Sequence, residues 1–193
     1  MVHNVRGQVS EARQRLLATA TQIFYAEGIH SVGIDRIVAE AKVTRATLYR
    51  HFASKEELVV AYLQTVAQLE RDQFEQALGS GLPAADVLRA IARAIAAGIS
   101  SAGFRGCAFL NAAAEYPDRA HPVLKTVLDH RAWFQTTISD LFALIDEDSA
   151  ASAGRHFVML RDGAMAAGCL TDATEVGDTF LAGVEGLLRF QTS

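Results

Sequence analysis

The amino-acid sequence predicts an all-α fold of about nine helices, with a three-helix unit at the N-terminus followed by a larger helical unit. Two observations support this prediction. The 193 residues include 34 Ala, the best helix former, and only 3 Pro, the worst. Apolar residues recur three and four positions apart, and no segment shows the sustained alternation of a half-buried strand.

The predicted helices span, in order, residues 10–27, 34–41, 45–52, 54–78, 84–101, 106–116, 121–145, 152–169 and 174–190. Polar caps and one glycine set the boundaries of the first four. Ser10, Thr44 and Ser54 can each accept a backbone N–H at a helix start. Glu57 completes a capping box with Ser54, and Gly28 suits the left-handed residue that ends many helices.

Turn-forming residues separate the later helices. A cluster at 79–83 contains Gly and Pro, and a Ser-Ala-Gly break follows at 101–103. Pro117 stops the sixth helix, and Pro122 lies in the first turn of the seventh, where proline is tolerated. An acidic loop at 146–149 precedes the last two helices.

The second and third helices, joined by a three-residue turn and packed on the first, form a helix-turn-helix. Four apolar residues can lock the pair together: Ile37, Val38, Val43 and Leu48. Four polar residues remain for the opposite face: Arg45, Thr47, Arg50 and His51. Arginine donors and a threonine methyl group suit the major groove of DNA. The alternative is an ordinary helical domain whose charged residues form a solvated surface.

Residues 16–58 resemble the N-terminal DNA-binding domain of the TetR/AcrR family of transcriptional regulators. The resemblance depends on the runs at 47–52 and 54–58, together with Ala20, Phe24, Gly28, Ile37, Ala41 and Val43. It implies a helix-turn-helix DNA-binding domain at residues 1–55 and an effector-binding and dimerisation domain at 56–193. It also implies a homodimer formed through the last two helices, a palindromic double-stranded operator and a small-molecule effector.

By position, the resemblance implies DNA-binding roles for Thr44, Arg45, Thr47, Tyr49, Arg50, His51 and Lys55. Thr44 would cap the recognition helix. Arg45, Thr47 and Arg50 are candidates for base or phosphate contacts, whereas Tyr49, His51 and Lys55 fall at phosphate-binding positions. Leu48 and Phe52 are assigned to the core.

Two positions depart from the family pattern. Lys42 stands in the turn where the family often has glycine, so a positive φ there would cost about 1 kcal/mol. Lys42 can offset part of that cost with a phosphate contact. Val32 and Gly33 replace the Thr and Ser that often open the second helix, so a hydroxyl-to-phosphate contact is expected to be absent.

The net charge of −4 argues at first against a nucleic-acid binder, which usually carries a basic surface. The charge is unevenly distributed, however. Residues 1–55 hold 8 Lys and Arg against 4 Asp and Glu, and residues 56–193 hold 10 against 18. The segment with the helix-turn-helix is therefore basic, as a phosphate-facing domain requires.

The run 105–115 also resembles one seen in a branch of the same family. Cys107, Asn111 and Glu115 share one helix face. They either line a pocket or satisfy local backbone groups and bridge helices. The predicted ligand-binding residues are Phe104, Cys107, Asn111, Glu115, Trp133, Phe134, Phe157, Arg161 and Met165. Arg161 is expected to pair with Glu115 or with an anionic ligand, and the expected effector is small and hydrophobic or amphipathic.

Cys107 has a further possible role. It lies near a helix N-terminus and beside Arg105, and both features favour a reactive thiolate. Some relatives with a cysteine in this run sense electrophiles or oxidants. The alternative is a buried, inert thiol.

The last two helices are predicted to form the dimer interface. Small residues permit close helix approach at Ala164, Gly168, Gly183 and Gly186. Apolar area is expected from Leu181, Val184, Leu187 and Leu188.

Other classes have little support. A helical enzyme is the main rival, but phosphate-loop, nucleophile-elbow, zinc-protease and dinucleotide motifs are lacking. A thiol-redox protein that uses Cys107 and Cys169 has weaker support still, and no cofactor or metal site is expected.

The sequence also predicts where the protein is located. The first nine residues look like a loose tail without a signal-peptide pattern. No stretch is apolar enough to span a membrane, so a cytoplasmic location is expected.

Overall fold

The computed structural model describes residues 10–190, so the expected N-terminal tail lies outside the described residues. Within that range the chain forms nine α-helices and no strand, which confirms the predicted all-α class. The helices are α1 (Glu11–Glu27), α2 (Ile34–Glu40), α3 (Arg45–His51), α4 (Lys55–Leu78), α5 (Ala84–Ile99), α6 (Ala108–Glu115), α7 (Pro122–Ala143), α8 (Ala150–Ala167) and α9 (Ala173–Phe190).

The predicted helix boundaries lie within two residues of the observed ones. The largest differences are at α5, α6, α7 and α8. Helix α6 begins at Ala108 rather than at residue 106 because Gly106 has a φ of 82°, which a right-handed helix cannot contain. Cys107 instead occupies the N-cap of α6.

Side-chain caps fix the starts of α3 and α4. Thr44 accepts the backbone N–H of Thr47 at 3.1 Å, and Ser54 accepts that of Glu57 at 3.2 Å. The Glu57 carboxylate reaches back to the N–H of Ala53, one residue before the expected capping-box partner. Ser10 was expected to cap α1, but its side chain makes no capping bond.

Buried side chains form two clusters. The first joins α1 to α4 with α6 and the start of α7, and it includes Phe24, Leu48 and Phe109. The second joins α5, α7, α8 and α9 around Phe142 and Phe157. Because α6 and α7 contribute to the first cluster, the core beneath the helix-turn-helix extends past residue 55. The division into 1–55 and 56–193 stays a prediction.

Across residues 10–190, no helix has both the length and the apolar character needed to cross a membrane.

Candidate nucleic-acid interface and interior cavity

The helix-turn-helix is locked from beneath by apolar residues. Ile37 and Leu48 have no exposed surface, Val38 is buried, and Val43 is partly buried against them. Leu48 and Phe52 belong to the core as expected. This packing holds α3 against α1 and α2 and leaves its opposite side uncovered by the rest of the described chain.

The uncovered side of α3 presents Arg45, Tyr49 and Arg50, all of which are exposed. Tyr49 exposes half of its surface. Arg50 makes no ion pair with any residue between 10 and 190, so its guanidinium is available to an outside partner. Thr47 is less accessible, because it is half-buried and its hydroxyl lies 2.9 Å from that of Thr44.

Arg45 is held by an ion pair across the turn. Its Nε and Nη2 each lie 2.6 Å from one carboxylate oxygen of Asp35 on α2. The hydrogen bond from Arg45 lowers the pKa of Asp35, and the same bond raises the pKa of Arg45. The pair therefore fixes the direction of Arg45 while neutralising part of its charge.

The turn itself contains the departure seen in the sequence. Lys42 is exposed and adopts a φ of 52°, which confirms that a non-glycine residue occupies a left-handed position here. Val32 is buried, and Gly33 is the N-cap of α2 without a side-chain bond. Neither residue type has a hydroxyl that could contact a phosphate.

His51 and Lys55 are less exposed than Arg50. His51 Nε2 lies 3.3 Å from the hydroxyl of Ser10. Lys55 is half-buried with its Nζ 6.0 Å from the centre of the Phe24 ring, and burial lowers the pKa of its ammonium.

A cavity of about 550 Å³ lies between α1, α4, α5, α7, α8 and the segment before α6, and it opens to solvent beside exposed residues such as Gln73 and Gly98. Its apolar walls include Tyr25, Tyr62, Phe74, Ile91, Ile95, Phe104, Phe134 and Met165. Its polar lining includes Thr21, Glu70, Cys107 and Arg161. Burial raises the pKa of the Tyr62 hydroxyl, so that phenol stays neutral. A cavity of this size and character can hold a small, mostly apolar molecule.

The structure brings together five of the nine predicted ligand-binding residues, namely Phe104, Cys107, Phe134, Arg161 and Met165. Two aromatic predictions need correction, because Trp133 and Phe157 do not line this cavity. Trp133 packs behind the wall against Phe74, and Phe157 is fully buried beside Phe142 and Phe180. Helical periodicity identifies a buried face, but it does not say which element that face meets.

Asn111 and Glu115 lie outside this cavity and line a separate pocket of about 560 Å³ beside Gly28 and Cys169, and both also bind backbone groups. Asn111 donates to the carbonyl oxygen of Arg105 at 2.8 Å. Glu115 accepts the N–H groups of Ile29 at 2.8 Å and of His30 at 2.5 Å. Of the two partners considered for Arg161, Glu115 is therefore wrong, and an anionic ligand stays a prediction.

Arg161 instead joins a buried polar cluster. Only 7% of its surface is exposed, and its Nη1 lies 3.4 Å from Cys107 Sγ and 3.2 Å from Asp162 Oδ1. Nη2 lies 3.9 Å from Glu70. Burial by itself lowers the pKa of Arg161, but attraction to Cys107 and Glu70 outweighs it and holds the pKa above its ordinary value.

Sequence reasoning missed Glu70 and Tyr25. Tyr62, Val66, Glu70 and Phe74 line the cavity at four-residue spacing along α4, so a carboxylate within an apolar helical stripe was the available signal. The Tyr25 hydroxyl donates to Gly106 O and accepts the N–H of Arg105, both at 3.0 Å. No local sequence pattern predicts the bond between Tyr25 and Arg105, because 80 residues separate them.

The predicted dimer-forming residues divide into two groups. Val184, Leu188 and Ala164 are buried within the chain's own core. Gly168 packs tightly against Ile99 and Phe104. Of the other predicted residues, Leu181, Gly183 and Leu187 are half-buried and Gly186 is exposed. Met159, Leu160 and Gly163, which were not among the predicted residues, are also exposed on α8.

No three His, Cys, Asp or Glu side chains in the described part of the chain are placed to hold a metal ion.

Comparison with known proteins gives a consistent result. Residues 16–62 match the family model for bacterial regulatory proteins of the tetR family. The chain is 44% identical over 54 residues to the HTH-type transcriptional activator FasR of Mycolicibacterium smegmatis, a match covering 28% of this chain and 25% of FasR. It is 35% identical over 63 residues to the HTH-type transcriptional regulator SrpR of Pseudomonas putida, covering 33% of this chain and 30% of SrpR. The chain thus spans less than a third of either regulator.

Two solved structures extend the comparison to more than nine-tenths of the chain. A TetR-family transcriptional regulator from Streptomyces coelicolor is 61% identical, with a TM-score of 0.92 over 94% of this chain and 96% of that one. The reduced form of Escherichia coli NemR is 20% identical, with a TM-score of 0.81 over 92% of this chain and 98% of that one. The second likeness is one of fold alone.

Proposed function

The chain belongs to the TetR family of DNA-binding transcriptional regulators, and from that premise we propose that it is a repressor released from its operator by a small effector. The repressor is a cytoplasmic homodimer, and its operator is palindromic. The effector is hydrophobic or amphipathic and occupies the interior cavity. The single observation that carries this proposal is that residues of both α1 and α8 line that cavity.

A ligand in the cavity touches the base of the helix-turn-helix directly. Thr21 and Tyr25 lie on α1, which packs against α2 and α3. Tyr25 also holds the segment before α6 through Gly106 and Arg105. Any ligand that displaces Tyr25 therefore disturbs both the support of α3 and the start of α6.

Helix α6 supplies a second connection. Its N-cap, Cys107, lines the cavity, and its last residue, Glu115, binds the turn after α1. Ligand entry that shifts α6 or the domain-joining α4 would change the angle of the two recognition helices. Only a difference in ligand affinity between the DNA-bound and released shapes can drive that change.

The dimer is proposed to form on the outer face of α8 and α9. Met159 exposes 68% of its surface there, and Leu160 lies beside Gly183. Two helices from each chain would bury this apolar face. In the dimer the two copies of α3 would lie about one DNA turn apart, roughly 34–36 Å.

Mapping the DNA bound in the native genome, followed by gel-shift titration of the recovered sites, tests the proposal. We expect a few palindromic sites and an affinity that falls steeply with salt. Uniform binding to unrelated DNA would contradict an operator-specific regulator.

A second candidate function is a regulator that senses electrophiles or oxidants through Cys107. The observation that favours it is the 3.4 Å contact between Cys107 Sγ and Arg161 Nη1, since a cation beside sulfur stabilises a thiolate. Only 5% of Cys107 is exposed, so a reagent would have to enter through the cavity. Mass spectrometry after a brief electrophile pulse tests this role. An unmodified Cys107 with unchanged operator binding would exclude it.

A further inference from the structure

Arg161 has an unoccupied edge. Its Nε is buried and has no hydrogen-bond partner among the described residues. Nη2, at the same edge, lies 3.9 Å from Glu70, which is too long for a hydrogen bond. The opposite nitrogen, Nη1, already contacts Cys107 and Asp162. A buried donor without a partner is costly, and a ligand that supplies an acceptor would remove that cost.

The same edge of arginine binds a carboxylate twice elsewhere in this protein. Arg45 places Nε and Nη2 on the two oxygens of Asp35, each at 2.6 Å. Arg89 places the same two nitrogens on Glu185 at 2.6 and 3.1 Å. At Arg161 no carboxylate of the described residues is hydrogen-bonded to this fork, and the nearest, Glu70, is an ion-pair neighbour 3.9 Å from Nη2. The fork nevertheless has the geometry that binds a carboxylate bidentately.

The acidic neighbours of Arg161 are each engaged with another base. Asp162 lies 2.5 Å from Arg131, and Glu70 lies 3.1 Å from Nε2 of His130. Arg131 therefore compensates the charge of Asp162, and His130 gives Glu70 a second close polar neighbour besides Arg161. Thr21 on α1 adds a second cavity-lining polar atom, its Oγ1, that has no hydrogen-bond partner among residues 10–190.

We infer that the cavity takes an apolar molecule bearing a carboxylate, with that carboxylate seated on the Nε–Nη2 edge of Arg161. The apolar part lies against the walls formed by Phe74, Ile91 and Ile95. The inference rests on the proposed function only in treating this cavity as the effector site. It adds the chemical class of the effector and the residue that selects it.

Three matched probes test the inference on the full-length protein, each used below its critical micelle concentration. They are dodecanoate, its methyl ester and dodecyltrimethylammonium. By calorimetry, we expect dodecanoate to bind at least about tenfold more tightly than the ester, and the cation to bind most weakly. Equal or tighter binding of the cation would overturn the inference. Failure of octanoate, dodecanoate and hexadecanoate all to bind would also overturn it.

Two variants locate the carboxylate. Arg161→Met should weaken dodecanoate binding by roughly tenfold to a hundredfold and leave binding of the methyl ester nearly unchanged. Arg155→Met is the matched control, because Arg155 lies on the same helix but is exposed and does not line the cavity. Undiminished dodecanoate binding by Arg161→Met would refute the placement.

A readout on the wild-type protein covers the case in which Arg161→Met does not fold. Dodecanoate labelled with ¹³C at its carboxyl carbon is bound and titrated with acid by NMR. Pairing with a guanidinium should lower the pKa of the bound carboxyl below that of the free acid. A raised pKa would mean burial without a cation and would overturn the inference.

The two proposals fail in distinguishable ways. Operator binding without ligand tests the repressor alone. Operator binding with no uptake of any carboxylate defeats the inference and leaves the repressor intact. Arg161-dependent uptake of dodecanoate without operator binding defeats the repressor and leaves the carboxylate site intact.

Discussion

The carboxylate of Glu115 accepts the backbone N–H of Ile29 at 2.8 Å, joining the end of α6 to the turn that follows α1. The same side chain accepts the N–H of His30. Ile29 is buried, so few water molecules can replace this acceptor. The turn that leads into the helix-turn-helix is thus held by a helix whose other end lines the cavity.

Replacing Glu115 with Ala should lower the free energy of unfolding by about 1–3 kcal/mol, because two backbone donors lose their acceptor. Glu115→Gln should cost less, since its amide oxygen can accept one of the two bonds. Urea unfolding measures both. Asp129→Ala, at an exposed position on α7, is the control. Equal stability of Glu115→Ala and the wild type would show that this contact stabilises nothing.

Arg50→Ala should weaken operator binding by about 1–3 kcal/mol if its guanidinium contacts a base. The side chain is exposed on α3, so the protein's own stability should hardly change. Gel-shift titration against the native operator measures the effect, with Arg155→Ala as control. An unchanged dissociation constant would remove Arg50 from the DNA contacts.

Two variants of Lys42 distinguish the effect of backbone strain from the effect of phosphate binding. Lys42→Gly should raise the free energy of unfolding by roughly 0.5–1 kcal/mol because glycine adopts positive φ without strain. Lys42→Ala removes the same charge but keeps the strained Cβ, so it should not gain stability. If Lys42 contacts a phosphate, both variants should flatten the salt dependence of operator binding by about 0.9 in log–log slope. Matching unfolding curves for the two variants would argue against strain at this turn.

Asp35→Asn should make DNA binding tighter but less selective. Removing the carboxylate frees the full charge of Arg45, and it also removes the fork that fixes the direction of that guanidinium. Non-specific affinity should rise by up to about fivefold, while the ratio of operator to random-DNA affinity falls.

Acid should act on the Asp35–Arg45 pair only at low pH. Arg45 lowers the pKa of Asp35. The contribution of this pair to the stability of the folded protein is therefore present above the ordinary carboxyl pKa, and it is lost as pH falls through the lowered pKa. Binding assays near neutral pH therefore compare an intact pair with the variant. A higher selectivity ratio in Asp35→Asn would show that Arg45 reads DNA better without its partner.

Gly186→Leu should weaken self-association by about tenfold without harming the folded chain. A Cβ at Gly186 meets no atom within 4 Å, and leucine favours a helix more than glycine does. Bulk at a close helix contact between two copies is expected to cost 1–3 kcal/mol, roughly the stated tenfold or more. Sedimentation over a concentration series measures this, and Ala132→Leu on the exposed face of α7 is the control. Unchanged association would place the interface elsewhere.

The helix-turn-helix could be predicted well because its signals are local. The cap at Thr44, the buried face at Leu48 and the strained turn at Lys42 each depend on neighbours within a few residues. Propensity, capping and periodicity act over that range. The resemblance of residues 16–58 to a known domain strengthened the same conclusion.

The cavity could be predicted only in part because it depends on packing between distant helices. Phe134 and Phe157 both lie on buried faces, yet only Phe134 lines the cavity. Arg161 lines the cavity as predicted, but the residues it contacts were not predicted. Spacing along α6 shows on which helix face Glu115 lies, but it does not show that this carboxylate binds the backbone of Ile29. The periodicity of apolar residues shows which face of a helix is buried, whereas the packing of distant helices decides what that face contacts.

Trp133 is the single tryptophan among the 193 residues. Its ring lies 5.3 Å from that of Phe74 and 6.3 Å from that of Phe134, both of which line the cavity. A molecule that shifts either of these two rings on entering the cavity would change the packing around this indole. We therefore expect the emission of Trp133 to serve as an optical reporter of cavity occupancy that needs neither a label nor DNA.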